Sequence, residues 1–168
     1  MSAVASNSDI HRTHVTKTRI ALVGLGMAVT PHARGLVDLA DQVEVLHAFS
    51  PSERRRTEFG RRFGFPLCDS LDRILDDRSV EAVLVLTPAN THLDIARRCA
   101  AAGKHVLLEK PIEITTARAR ELVATCRAAG VTLGIVLQHR FRPAGVTTQP
   151  SRQKKPFCGS LREFKQAR

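Results

Sequence analysis

Several loops in this sequence carry residue types that could hold a phosphorylated nucleotide, and each follows a short apolar run. In VGLGMA (residues 23–28), Gly24 can make a tight turn and Gly26 can let the backbone approach a pyrophosphate. The amides of Met27 and Ala28, at the start of a helix, would then face its oxygens. Val29 stands where the third glycine of that fingerprint belongs, so a plain strand-to-helix turn is the alternative. A second run ends in Ser50, Ser52, Arg54 and Arg55, at the distance where a carboxylate normally holds the adenosine ribose. With no carboxylate to repel a 2′-phosphate and guanidinium groups to pair with one, this stretch leans toward NADP over NAD. Its alternative is a solvated helix face with Ser50 as the N-cap and Pro51 at the first helical position. A third run ends in TPANTH, where the backbone of Thr87 and Pro88 and the side chain of Asn90 could touch a nicotinamide ribose. Taken alone, His92 reads as a first-turn polar residue rather than a catalytic one, and within this loop it joins the candidate cofactor contacts. A fourth run, His105 to Leu108, stops at Glu109-Lys110-Pro111. Proline leaves the strand ladder there, and Lys110 either points into the crevice shared with the other loops or forms an edge ion pair with Glu109.

Those loops serve one site only if the elements between them bring them together. Apolar runs at residues 19–23, 43–49, 82–86, 105–108 and 133–137, with a weaker one near 65–68, read as strands buried on both faces. Helical patterns separate them. Ser70 opens one over residues 71–77, Thr91 or Asn90 caps one that runs to Ala102 and stops at Gly103, and Thr115 or Thr116 caps one that ends at Gly130 with Leu122, Val123 and Cys126 inward. Strands alternating with helices of that length predict an α/β fold: a doubly wound parallel sheet of about six strands between two helical layers. Parallel topology puts every strand's carboxyl end on one edge, which is where the four loops lie.

Composition excludes several other classes. Of 168 residues 43% are hydrophobic, and no apolar run approaches the roughly 20 needed to span a bilayer, so no membrane association and a cytoplasmic location are expected. The four cysteines are unevenly spaced, with no C-x-x-C pair and no histidines at metal-ligand spacing, which predicts buried reduced thiols and no metal. A net charge of +10 raises the question of nucleic acid, but residues 141–168 alone hold seven basic residues against one acidic. With neither Trp nor Tyr to stack bases, no nucleic-acid partner is expected. Residues 1–16 read as a disordered leader, 17–143 as the nucleotide-binding domain, and 144–168 as a basic, irregular tail.

Taken together, VGLGMAVTPHA, TPANTHLDIARRCAAAGKHVLLEKP and VLQHRFRP resemble the N-terminal half of the glucose-fructose oxidoreductase, inositol dehydrogenase and rhizopine catabolism (Gfo/Idh/MocA) family. The resemblance implies a Rossmann domain holding NAD or NADP, and hydride transfer to or from sugars, polyols or related small molecules. It also implies that Lys110 lies beside the nicotinamide and the reacting oxygen, where an ammonium stabilises developing alkoxide charge. Glu109 and Gln138 join the cofactor contacts on the same ground. Members of the family continue into a second domain that completes the substrate site. The tail after Pro143 does not resemble it, which predicts a frame disruption or truncation, a chain inactive alone, and self-association through apolar surface near residues 136–141. A non-catalytic nucleotide-binding or regulatory module is the alternative function.

Overall fold

Along the first strand Ala21 and Val23 face one side of the sheet while Ile20 and Leu22 face the other, and all four are buried. Period-two alternation with both faces apolar demands a layer of helices on each side. The computed structural model, which describes residues 16–137, meets that demand. Strands β1 (Thr18–Val23), β2 (Val43–Phe49), β3 (Leu67–Cys68), β4 (Ala82–Val85), β5 (His105–Leu108) and β6 (Leu133–Ile135) alternate with helices α1 (Val29–Asp38), α2 (Glu53–Phe63), α3 (Leu71–Asp76), α4 (His92–Ala101) and α5 (Thr116–Ala128). All strand pairs are parallel, in the order β3-β2-β1-β4-β5-β6. This is the doubly wound order, and the chain reverses direction across the sheet between β1 and β4.

Each face has its own core. Val29, Ala33 and Leu36 of α1 and Phe59 of α2 pack on Leu22, Val43, Val45 and Leu84. On the other face Ile74 of α3, Leu93 and Ala96 of α4, and Leu122 and Cys126 of α5 pack on Val23, Val85, Val106 and Leu108. Right-handed crossovers account for the segregation, since moving outward from β1 in opposite directions puts the connecting helices on opposite faces. At the sheet's amino edge Lys104 is 5% exposed, and its Nζ donates to the carbonyls of Asp77 at 2.7 Å and Val80 at 3.0 Å, tying the start of β5 to the chain before β4.

Several local expectations are corrected. Ser52, not Ser50, is the N-cap of α2: its side chain accepts the Arg55 N–H, and Pro51 lies before the helix. Val123 is 37% exposed instead of facing inward, because only Leu122 and Cys126 point at the sheet. The last strand is Leu133–Ile135, shorter than the apolar run, with Val136 packed partly on the core and Leu137 exposed. Gly103 and Gly130 do take the left-handed backbone that stops α4 and α5, at φ of 70° and 68°.

Leu122 is fully buried beneath α5. Leu122→Ala is expected to lower the free energy of unfolding by about 2–5 kcal/mol, read from urea denaturation.

Candidate functional site

The crevice opens at the carboxyl ends of β1 and β4, and Gly24 forms its floor. The Gly24 N–H donates to the Phe49 carbonyl at 2.9 Å, and the Leu86 N–H to the Val23 carbonyl at 2.8 Å, so three strand ends converge there. Gly24 has φ of +102°, and a Cβ on it would lie 2.7 Å from the Leu86 carbonyl carbon and 2.8 Å from the Thr87 nitrogen. It therefore serves two ends, the turn and the close approach of the β4 loop. A Cβ on Gly26 would meet nothing within 4 Å, which leaves the backbone open to a ligand. Helix α1 begins beside it with Ala28 at the N-cap and no side chain capping its first amides, whereas α2, α3 and α5 are capped by Ser52, Ser70 and Thr115. Free amides at a helix start attract an anion.

The crevice has a volume of about 890 Å³. Of the residues expected from sequence, Gly24, Gly26, Met27, Ala28, Ser50, Arg55, Thr87 and Pro88 line it. Sequence reasoning missed its far end, where Ser70, Leu71 and Asp72 at the start of α3 face Ile95 and Arg98 of α4, with an ion pair between Arg98 and Asp72. The one available signal was the Ser70 cap at the carboxyl end of the short β3. Arg54 stands in a neighbouring groove of about 330 Å³ with Arg55, Arg62 and Met27.

Ser50 is 1% exposed and acts within the loop: its hydroxyl accepts the Ser52 N–H at 3.4 Å, and its carbonyl accepts from the Arg56 guanidinium at 2.6 Å. Arg56 is thereby occupied. Arg54 and Arg55 are exposed and have no ion-pair partner among the described residues.

Asn90, His92, Glu109 and Lys110 lie outside the crevice walls. His92 is 1% exposed, with Nε2 2.8 Å from the Thr87 carbonyl oxygen and Nδ1 3.0 Å from that of Ile112, so neither ring nitrogen is offered to a ligand. The ring of His92, expected among the cofactor contacts, is thus engaged by backbone in this structure. Lys110 is exposed, its ammonium has no partner among the described residues, and its peptide bond to Pro111 is cis. The Glu109 carboxylate does not pair with it. One oxygen accepts the Lys110 backbone N–H at 3.3 Å and lies 3.9 Å from His32 Nε2 on α1. Burial pushes the His32 imidazole below its ordinary pKa, against the pull of the Glu109 carboxylate. Gln138 lies outside the described residues. Cys68, Cys99 and Cys126 are free and buried, and burial pushes the Cys99 thiol up to about 12, so it is no nucleophile. No cluster that could hold a metal occurs among the described residues, and none of their helices is long and apolar enough to cross a membrane.

Glu113 escaped the sequence reading altogether. Its side chain is fully buried; Oε1 accepts the Leu93 N–H at 3.2 Å and Arg118 Nη2 at 3.0 Å, and Oε2 accepts the Ile114 N–H at 2.8 Å. Glu113 therefore caps α4 from another loop. Thr91 holds the cap position without capping, because its hydroxyl lies 2.8 Å from the Pro88 carbonyl and 2.7 Å from Thr87 Oγ1. The Arg118 hydrogen bond foremost, helped by the backbone donors, brings the Glu113 carboxyl from 4.5 down to about 2. A depressed carboxylate pKa adds stability above the unfolded value and loses it as the pH falls through the folded one. Glu113→Gln is accordingly expected to be less stable than wild type at neutral pH, with the two denaturation curves converging as the pH drops from about 4.5 to about 2.

Comparison with known proteins agrees with this fold. A family model for the Gfo/Idh/MocA oxidoreductases, NAD-binding Rossmann fold, matches residues 18–137. Myo-inositol 2-dehydrogenase of Thermotoga maritima is 33% identical over 73% of this chain and 37% of its own length. The NADP-dependent scyllo-inositol 2-dehydrogenase IolW of Bacillus subtilis is 29% identical over 77% of this chain and 36% of its own. Among solved structures, the WlbA dehydrogenase of Chromobacterium violaceum in complex with NADH and UDP-GlcNAcA superposes with a TM-score of 0.74 at 27% identity, over 78% of this chain and 38% of that one. The chain thus spans less than two fifths of the length of these relatives. On the match to residues 18–137, the chain belongs to the Gfo/Idh/MocA oxidoreductase family and carries its NAD-binding Rossmann fold.

Proposed function

We propose that this chain is the dinucleotide-holding part of an oxidoreductase acting on sugars, polyols or related small molecules, with Lys110 facing the reacting oxygen. The observation that carries the reading is the crevice itself. An open Gly26 backbone and an uncapped α1 stand at the switch point of a parallel sheet, where such folds bind ligands, and an unpaired ammonium stands one strand over. The cradle fits a dinucleotide, since the amides opening α1 suit a pyrophosphate and the apolar walls at Leu71 and Ile95 suit a base.

When bound, a nicotinamide dinucleotide supplies two-electron hydride chemistry. The residues do the rest. Gly24 and Gly26 bring the backbone against the phosphates, the Thr87-Pro88 backbone bounds the nicotinamide side, and Lys110 donates hydrogen bonds to a substrate oxygen as negative charge gathers on it. Arg55, exposed at the crevice rim beside the Ser50 turn, pairs with a 2′-phosphate, which favours NADP. The relatives' cover of only part of their length supports a second domain as the source of the substrate pocket. Free buried thiols support a cytoplasmic setting.

Titration of the full chain with NADPH and NADH, followed by cofactor fluorescence, tests this. Saturable binding is expected, and failure of both at about 1 mM, where binding is worth about −4 kcal/mol, overturns the reading. Arg55→Ala is expected to weaken NADPH about tenfold, the loss of one charge-assisted contact, and to leave NADH nearly unchanged.

A further inference from the structure

The loop that carries Lys110 has little to hold it. Its last ladder bond runs from the Glu109 N–H to the Val85 carbonyl at 3.0 Å, and then Lys110 and Pro111 are both exposed. The next attachment is His92. The buried ring stands between two loops, with Nδ1 3.0 Å from the Ile112 carbonyl oxygen and Nε2 2.8 Å from that of Thr87. A neutral imidazole donates to one of these carbonyls and a doubly protonated one to both, and in either form the ring fills the space between the loop after β4 and the loop after β5. A second strut crosses the same gap. Glu113 accepts from the Leu93 N–H, and Arg118 Nη2 donates both to Glu113 at 3.0 Å and to the Asn90 carbonyl at 3.3 Å. The side chains that form these struts, His92, Glu113 and Arg118, sit outside the crevice walls, and only the Thr87 backbone belongs to both.

We propose that His92, backed by Glu113 and Arg118, is a positioning clamp that sets Lys110 against the Thr87-Pro88 lip, and that it governs how the nicotinamide end of a dinucleotide is held while leaving the adenosine end alone. The proposal rests on the nucleotide reading above. Its physical basis is the division of the crevice. The adenosine end is built by β2, α2, the start of α3 and, one and two turns along α4 from His92, Ile95 and Arg98; neither hydrogen bond of the His92 ring reaches these groups, whereas the opposite end depends on two loops joined through its ring. A group of this kind acts through geometry, because a loop shifted by an ångström misplaces the ammonium it carries.

The test measures two affinities in the full chain: NADPH, and 2′-phospho-ADP-ribose, which lacks the nicotinamide. His92→Phe keeps a ring in the gap and removes both polar contacts. It is expected to hold the phospho-ADP-ribose affinity within about twofold while NADPH weakens about tenfold toward that same value, with the bound NADPH emission moving toward that of free cofactor. His92→Gln, whose amide can still donate to a carbonyl, is expected to lie between, and it carries the same comparison if the Phe variant does not fold. Lys104→Met at the opposite edge is the control, expected to lower stability without changing the ratio of the two affinities. Unchanged NADPH binding in His92→Phe, or equal weakening of both ligands, overturns the clamp. Equal affinity of the wild type for both ligands also overturns it while sparing the nucleotide reading. Failure of the wild type to bind either ligand removes both.

Discussion

The closest constraint in this fold is the contact between Gly24 and the backbone of Leu86 and Thr87. At the switch point the chain leaves β1 in one direction and β4 in the other, and the space between their ends is the crevice, the place where open parallel sheets generally bind ligands. How deep that crevice is depends on how near the two strand ends come. A Cβ at Gly24 would sit inside van der Waals contact with backbone atoms that cannot swing aside, so only glycine permits the approach. Everything downstream inherits it: the position of the Thr87-Pro88 lip, the start of α1 opposite, and the open backbone of Gly26 between them.

A crevice framed by loops needs those loops held, and the polar groups at its two ends are disposed for that in different ways. At the end built by β2 and α2 the holding is local. Ser52 caps α2, and Ser50 and Arg56 close the turn before it, which leaves Arg54 and Arg55 facing outward with their charges unpaired among the described residues. At the other end the holding is long-range. His92 and Glu113 reach across 20 residues of sequence to join the loops after β4 and β5, and both are buried, so each unmade hydrogen bond would cost the full desolvation of its partner. On that side the Lys110 ammonium has no partner among the described residues, although a carboxylate adjoins it in the sequence. Glu109, the adjacent carboxylate, turns back on the Lys110 backbone N–H and toward His32 instead.

Much of the fold was legible because its signals are local. Five apolar runs, a weaker sixth and the helical punctuation between them specify a parallel sheet with crossovers, and Gly103 and Gly130 stop helices where a positive φ is needed. The Ser50 cap was misread because Ser50-Pro51-Ser52 offers two hydroxyls at adjacent cap spacings. What separates them is burial of the first, which is a property of the packed loop. Val123 was misassigned for a related reason: an apolar residue on the edge of a helical stripe faces inward or outward according to where the sheet lies beneath it.

By itself the sequence determined the order of elements, the glycine turn, the absence of a ribose-binding carboxylate, and the lysine at a strand's carboxyl end, since each depends on residues adjacent in the chain. Tertiary structure alone decided that Gly24 must clear the β4 backbone, that α3 and α4 close the far end of the crevice, that Glu113 rather than Thr91 caps α4, and that both ring nitrogens of His92 face backbone carbonyls. Those outcomes turn on which buried polar groups meet across the sheet, and a buried hydrogen bond is set by distance in space and not by separation along the chain.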